Sequence, residues 1–123
     1  RAVLEGVSLN LAVILSVMKG FVPIREMILI GGGAKGATWR QLLADVLALP
    51  VLVLEHLEEA TSMGAAIIGG VGVGCFESFA AAGQFINVTG RVEPDPERVR
   101  LYETMKPVFD ECYKALEPVF GLM

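Results

Sequence analysis

Six residues, Gly31-Gly32-Gly33-Ala34-Lys35-Gly36, limit most strongly what this chain can fold into. They follow a short β-rich run, Glu26 to Ile30, and precede a helical pattern. Glycine loses more backbone freedom on ordering than any other residue. A run of glycines is therefore kept where the backbone must turn sharply or come close to another group. Downstream, Thr38-Trp39-Arg40-Gln41 opens a helix with capping-box spacing, Thr38 and Gln41 lying three apart. The apolar face of that helix is Trp39, Leu42, Leu43, Val46 and Leu47, and it stops before Pro50. Val51-Leu52-Val53-Leu54 is a continuous apolar strand, the pattern of one buried on both faces of a parallel sheet. Strand, glycine turn, helix and strand together make a βαβ crossover, so the fold class is α/β.

The flanks are helical. Residues 2–19 predict a helix buried on most sides and ended by Gly20 and Pro23. Its apolar run, Leu9 to Met18, is too short to cross a bilayer. It also follows too many residues, Glu5 among them, to be a signal peptide. Thr61 to Gly72 is rich in small residues, and each glycine there opposes a helix by about 1 kcal/mol relative to alanine. A helix persists in that stretch only where a missing side chain permits close packing or close approach of a ligand. Residues 76–86 predict a short helix and turn, and Val88 to Asp95 a loop or edge strand. Glu97 to Leu116 has amphipathic spacing, with a kink expected at Pro107.

With 54% hydrophobic and 20% charged residues, the chain is no disordered segment, and its length suits one domain with one core. Ten Lys and Arg against fourteen Asp and Glu leave a net charge of −4, which excludes a phosphate-backbone-binding surface. Cys75 and Cys112 make neither a disulfide framework nor a metal-ligand spacing. They read as buried small apolar residues in a reducing, cytoplasmic compartment. The chain opens at Arg1 without an initiator Met or a helix-capping residue. It is expected to be one segment, 1–123, of a longer protein, sharing its core with parts outside this sequence.

Three phosphate-site templates compete for the glycine turn. The P-loop spacing is met by Gly31 and Gly36, but Ala37 stands where its Lys must be, so that reading fails. The dinucleotide fingerprint is matched by Gly31, Gly33 and Gly36, with Glu55 ending the next strand about 20 residues on, where a ribose-binding acid belongs. Against it, the motif lies behind a long helix, and the chain lacks further strand–helix alternation. The third template is a different nucleotide cradle. Gly31-Gly32-Gly33-Ala34-Lys35, followed by Trp39-Arg40-Gln41 and Ala44-Asp45, resembles the adenosine-binding segment of FGGY-family carbohydrate kinases. Arg1-Ala2-Val3-Leu4-Glu5-Gly6 is similar to the tail of a family signature that precedes this segment. Glu59-Ala60-Thr61-Ser62-Met63-Gly64-Ala65-Ala66 resembles the stretch that follows it, and Pro94-Asp95-Pro96 before a Tyr-bearing helix is also usual there.

The resemblance implies the C-terminal portion of an actin-like, ribonuclease-H-like ATPase domain, from a kinase using ATP and Mg2+ to phosphorylate a sugar hydroxyl. D-xylulose is the first expectation, and a homodimer is left open. It implies that Gly31, Gly32, Gly33, Ala34 and Lys35 lie along adenosine and its α-phosphate, with Gly32, Gly33 and Ala34 in contact. Some relatives place an Asn shortly after the glycines to hold adenine. Gly36 and Ala37 occupy that neighbourhood here, which puts strong base specificity in doubt. The family's Asp base and sugar pocket would lie upstream of Arg1, so no catalytic residue is assigned and this segment alone is expected to be inactive. A dinucleotide-binding module and a nucleotide-independent packing domain remain the alternatives.

Individual side chains divide between roles. Lys35 either approaches a phosphate or is solvated, and Trp39 reads as a core anchor rather than an adenine-stacking ring. Gln41 reads first as a cap. His56 has no visible nucleophile or metal partner, and Glu58-Glu59 reads as a solvated helix N-terminus before an acid–base pair. Gly64, Gly69 and Gly70 form a face suited first to helix packing.

Overall fold

The computed structural model describes residues 1–55 and 59–122. In chain order the elements are α1 (Ala2–Lys19), β1 (Met27–Ile28), a 3-10 turn (Gly32–Lys35), α2 (Ala37–Leu47), β2 (Val51–Leu54) and α3 (Ala60–Gly72). A second 3-10 turn (Phe79–Gln84), β3 (Val88–Val92) and α4 (Pro96–Phe120) complete them. The sheet order is β1-β2-β3. β1 runs parallel to β2, with Met27 opposite Val51 and Ile28 opposite Leu52, so the βαβ crossover forms through α2. β3 closes the other side antiparallel, as an edge strand. Val51 and Leu52 are buried, as the unbroken apolar run requires of a central strand, but Val53 and Leu54 are only half-buried. β1 is shorter than the run Glu26 to Ile30, because its ladder to β2 extends over only two residue pairs.

Alternation along the strands sorts their side chains. Met27, Leu29 and Val51 join a core built from Leu9, Ala12 and Leu15 of α1 and Leu42, Leu43, Val46 and Leu47 of α2. Ile28, Ile30 and Leu54 turn toward α3 and the segment after it, lining a cleft with Met63 and Phe85. Tyr102 of α4 seals the core at 2% exposure, and its hydroxyl donates to Glu5 Oε1 at 3.0 Å, tying α4 to α1.

Helix α1 differs from expectation. Only Ser8, Leu9, Ala12 and Leu15 are buried, because α2 and the Tyr102 region of α4 cover one stripe, whereas Val3 and Val17 are exposed. Its 18 residues, with a mean hydropathy of 1.6, are long and apolar enough to cross a membrane by length and composition alone, where the Leu9 to Met18 run was too short. Here the buried stripe belongs to the protein core. Helix α3 forms despite its glycines. A Cβ on Gly70 would lie 2.5 Å from the Phe76 ring, which folds back onto the helix and meets Phe85 edge-on. Gly64, Gly69 and Gly72 have nothing within 4 Å of such an atom. The close packing that glycine permits is thus onto a ring from the following loop and at one position.

Helix α4 runs through Pro107 to Phe120, beyond the predicted Leu116, and starts from an Asp95 cap. Asp95 Oδ1 accepts from the N–H groups of Glu97 (2.8 Å) and Arg98 (3.3 Å), and Pro96 fills the first helical position. Those donors hold the Asp95 carboxyl below its usual range. Glu5 is lowered as well, first by its bond to Arg1 and then by Tyr102. A carboxyl whose folded pKa is depressed stabilises the fold above its unfolded pKa and ceases to as pH falls through the folded value. Helicity followed by circular dichroism is therefore expected to fall below about pH 4. Asp95→Asn, which keeps a neutral cap, should shift that acid limb to lower pH. Superimposable profiles would show that the Asp95 cap carries none of it.

Candidate functional site

The glycine turn lies at the C-terminal end of β1, beside the C-terminal end of parallel β2. In open α/β sheets ligands bind in the crevice outside those ends. Each glycine has a separate physical reason. Gly31 sits at φ +85°, a conformation that side-chain-bearing residues rarely adopt. Its carbonyl accepts from Ala34 N at 3.0 Å, and Gly33 O accepts from Gly36 N at 3.3 Å. Gly33 is needed by Trp39, since an added Cβ would come within 3.0 Å of the indole ring. Gly32 is exposed, and a Cβ there would meet nothing within 4 Å. Ala34 is fully buried beneath the turn, and Lys35 is exposed. The five predicted residues thus form one short turn whose outer surface is the backbone around Gly32.

Helix α2 follows with Gly36 as its N-cap and no side-chain cap. The capping box predicted from Thr38 and Gln41 does not form, because the helix begins at Ala37 and Thr38 already lies inside its first turn. Gln41 instead donates from Nε2 to Asp45 Oδ1 (2.8 Å) and to the Glu93 carbonyl (3.0 Å). Arg40 reaches back from Nη1 to the carbonyls of Ala34 (2.6 Å) and Lys35 (3.3 Å). Trp39 is half-buried against the core, as an anchor should be.

Asp45 enters the sequence pattern only as the last residue of the Gly31–Asp45 motif, with no role of its own. It is 2% exposed, and its Oδ1 also accepts from the Asp95 N–H at 2.8 Å, with Arg98 Nη1 at 3.4 Å from Oδ2. The available signal was a lone carboxylate inside Leu42-Leu43-Ala44-Asp45-Val46-Leu47, since a buried charge must find partners. Its partners are structural, and they join α2 to the start of α4.

Of the remaining candidates, Glu55 directly follows β2, at the same end of the sheet as the turn. It is exposed and accepts from Asn87 Nδ2 at 2.6 Å. Glu59 is exposed at the start of α3, while His56 and Glu58 lie outside the described residues. Cys75 and Cys112 are both exposed, contrary to expectation. Cys75 follows the positive-φ turn at Gly74, and Cys112 sits on the part of α4 that extends past the core. Among the described residues, no three of His, Cys, Asp and Glu gather as metal ligands.

This arrangement can be set against known proteins. The model of the FGGY family of carbohydrate kinases, C-terminal domain, matches residues 1–73. An autoinducer-2 kinase from Escherichia coli (strain SMS-3-5 / SECEC) is 38% identical over 117 residues, covering 93% of this chain and 22% of that protein. A xylulose kinase from Staphylococcus epidermidis is 37% identical over 116 residues, covering 93% of this chain and 23% of that protein. The solved gluconate kinase from Lactobacillus acidophilus superposes with a TM-score of 0.84 at 25% identity, covering 98% of this chain and 25% of its own. The xylulose kinase from Rhodospirillum rubrum gives a TM-score of 0.77 at 27% identity, with the same coverage. The chain therefore spans less than a quarter of the length of the curated relatives it matches. Its α/β fold is the C-terminal portion of the actin-like ATPase domain of these sugar kinases. By the family match, the chain belongs to the FGGY family of carbohydrate kinases.

Proposed function

We propose that this chain is the nucleotide-holding, C-terminal part of an ATP-dependent sugar kinase that acts in the cytoplasm. The observation that carries the reading is the open face of the turn at Gly32, at the C-terminal end of two parallel strands. A backbone with no Cβ lets a ligand approach to van der Waals distance, and free amide groups at such a turn favour phosphate oxygens. In this reading Gly31, Gly32, Gly33, Ala34 and Lys35 line adenosine and its α-phosphate. Mg2+ would enter with the nucleotide, since that ion is usually held through substrate phosphates and one or two carboxylates. It would supply charge neutralisation on the phosphates during transfer.

The acceptor is a sugar hydroxyl, and D-xylulose is our first choice. The family supports the reaction class, while autoinducer-2, xylulose and gluconate kinases all stand among the relatives and solved neighbours. The dinucleotide alternative is not favoured. Glu55, its ribose-binding acid, is bonded to Asn87, and the third strand runs antiparallel.

Titration calorimetry of the 123-residue chain is expected to show binding of MgATP and MgADP and weaker binding of NAD. Tighter NAD binding that is lost in Glu55→Ala would support the oxidoreductase reading instead. Binding of neither would leave a packing domain. A coupled ADP-release assay with D-xylulose is expected to show no turnover above background, and measurable phosphorylation would refute the assignment of the chemistry to other parts of the kinase.

A further inference from the structure

The carbonyl groups that end the glycine turn are held from one side by a single side chain. Arg40, in the first turn of α2, donates from Nη1 to the Ala34 oxygen at 2.6 Å and to the Lys35 oxygen at 3.3 Å. The backbone N–H of the same residue donates to the Gly36 oxygen at 3.0 Å. The Arg40 side chain therefore grips two consecutive carbonyls, and the first helical backbone bond of α2 takes the third, across the junction between turn and helix. Its Nε is buried and has no hydrogen-bond partner among the described residues. An arginine needed only as a surface helix former would extend its head into water. This one turns its charge back onto the turn, where a charged donor makes a bond roughly twice as strong as a neutral one.

Peptide planarity carries the grip further. In a trans peptide, the C=O and the next N–H point in opposite directions. Fixing the Ala34 and Lys35 oxygens thus fixes the planes that hold the Lys35 and Gly36 N–H groups. The bond from Gly36 N to Gly33 O and that from Ala34 N to Gly31 O pass the constraint to the glycines. Those glycines have the least conformational restraint of their own, so they depend most on an outside anchor.

We propose that Arg40 is a positioning residue of the nucleotide site, holding the Gly31–Lys35 backbone in its binding geometry without touching the nucleotide. The proposal rests on the nucleotide reading given above. A preorganised turn binds more tightly because less ordering remains to be done on binding.

The test uses the full 123-residue chain, with MgATP affinity by calorimetry, the thermal midpoint without nucleotide, and backbone amide exchange across residues 32–36. Arg40→Gln is expected to weaken MgATP about 10-fold, equivalent to about 1.4 kcal/mol. Amide exchange in the unliganded turn should accelerate while the remainder of α2 keeps its protection. Arg40→Lys, which keeps the charge and loses the planar fork, should fall between Arg40→Gln and wild type. Unchanged MgATP affinity in Arg40→Gln would overturn the proposal. So would an affinity loss that tracks a lowered midpoint with no exchange change confined to the turn. Should Arg40→Gln fail to fold, Arg40→Lys decides: faster exchange in the turn with lowered affinity supports the proposal, and wild-type values overturn it. No MgATP binding by the wild-type chain would instead sink the nucleotide reading, and this proposal with it.

Discussion

Replacing Asp45 with alanine is expected to lower the stability of the chain by about 3 kcal/mol. The carboxylate is buried, and its Oδ1 takes hydrogen bonds from Gln41 and from the Asp95 backbone. Removing it leaves the Asp95 N–H without its acceptor and frees the loop that delivers α4 to the core. It also removes one of the two carboxylate partners of Arg98, which keeps Asp95, but that guanidinium is more than half exposed, so Arg98→Ala alone should cost no more than about 1 kcal/mol. For a domain of this size, the Asp45→Ala loss corresponds to a fall in thermal midpoint of roughly 12 °C. Asp45→Asn keeps one acceptor oxygen and should fall between the two. A midpoint for Asp45→Ala within about 2 °C of wild type would mean that these bonds exchange with water at no net cost.

The asymmetry between Asp45 and Arg98 also shows which parts of the molecule could be read from residue order. The βαβ unit was legible because its determinants are local: an apolar run, glycines, an amphipathic stretch and a second apolar run. The edge strand before Pro94 and the last helix were legible for the same reason. What escaped depends on partners far along the chain. Gln41 reads as a cap by its spacing from Thr38, yet its acceptors are Asp45 and the carbonyl of Glu93, on the loop leading into α4. Helix α1 reads as buried on most sides by composition, yet the neighbours it has cover one stripe. Cys75 and Cys112 read as core residues by type, yet one follows a turn and the other lies on a helix that outruns the core. The turn residues themselves were legible as a block. The separate duties within the block were not, because they depend on a dihedral angle at Gly31 and on an indole ring packed over Gly33.

Those separate duties lead to the other large effect, in nucleotide affinity. Gly32→Ala is expected to raise the stability of the unliganded chain slightly and to weaken MgATP binding about 10-fold, with Gly32→Val weakening it about 100-fold. The stability gain, roughly 0.4–1 kcal/mol for alanine, comes from the reduced freedom of the unfolded chain at a position whose native conformation alanine can adopt. Nothing within 4 Å of an added Cβ opposes it. The neighbours should behave oppositely. Gly31→Ala places a side chain at φ +85° and should destabilise by roughly 1–2 kcal/mol. Gly33→Ala forces the Trp39 ring to move, at about 1–3 kcal/mol. Both would also weaken nucleotide binding, but their losses would mix a damaged fold with a blocked site. Gly32 separates the two. A substitution that raises the thermal midpoint while lowering affinity cannot act through unfolding, since a more stable chain has more of its molecules competent to bind. Opposite signs at Gly32 would locate the ligand against its backbone, whereas unchanged MgATP affinity in Gly32→Val would remove this turn from the site.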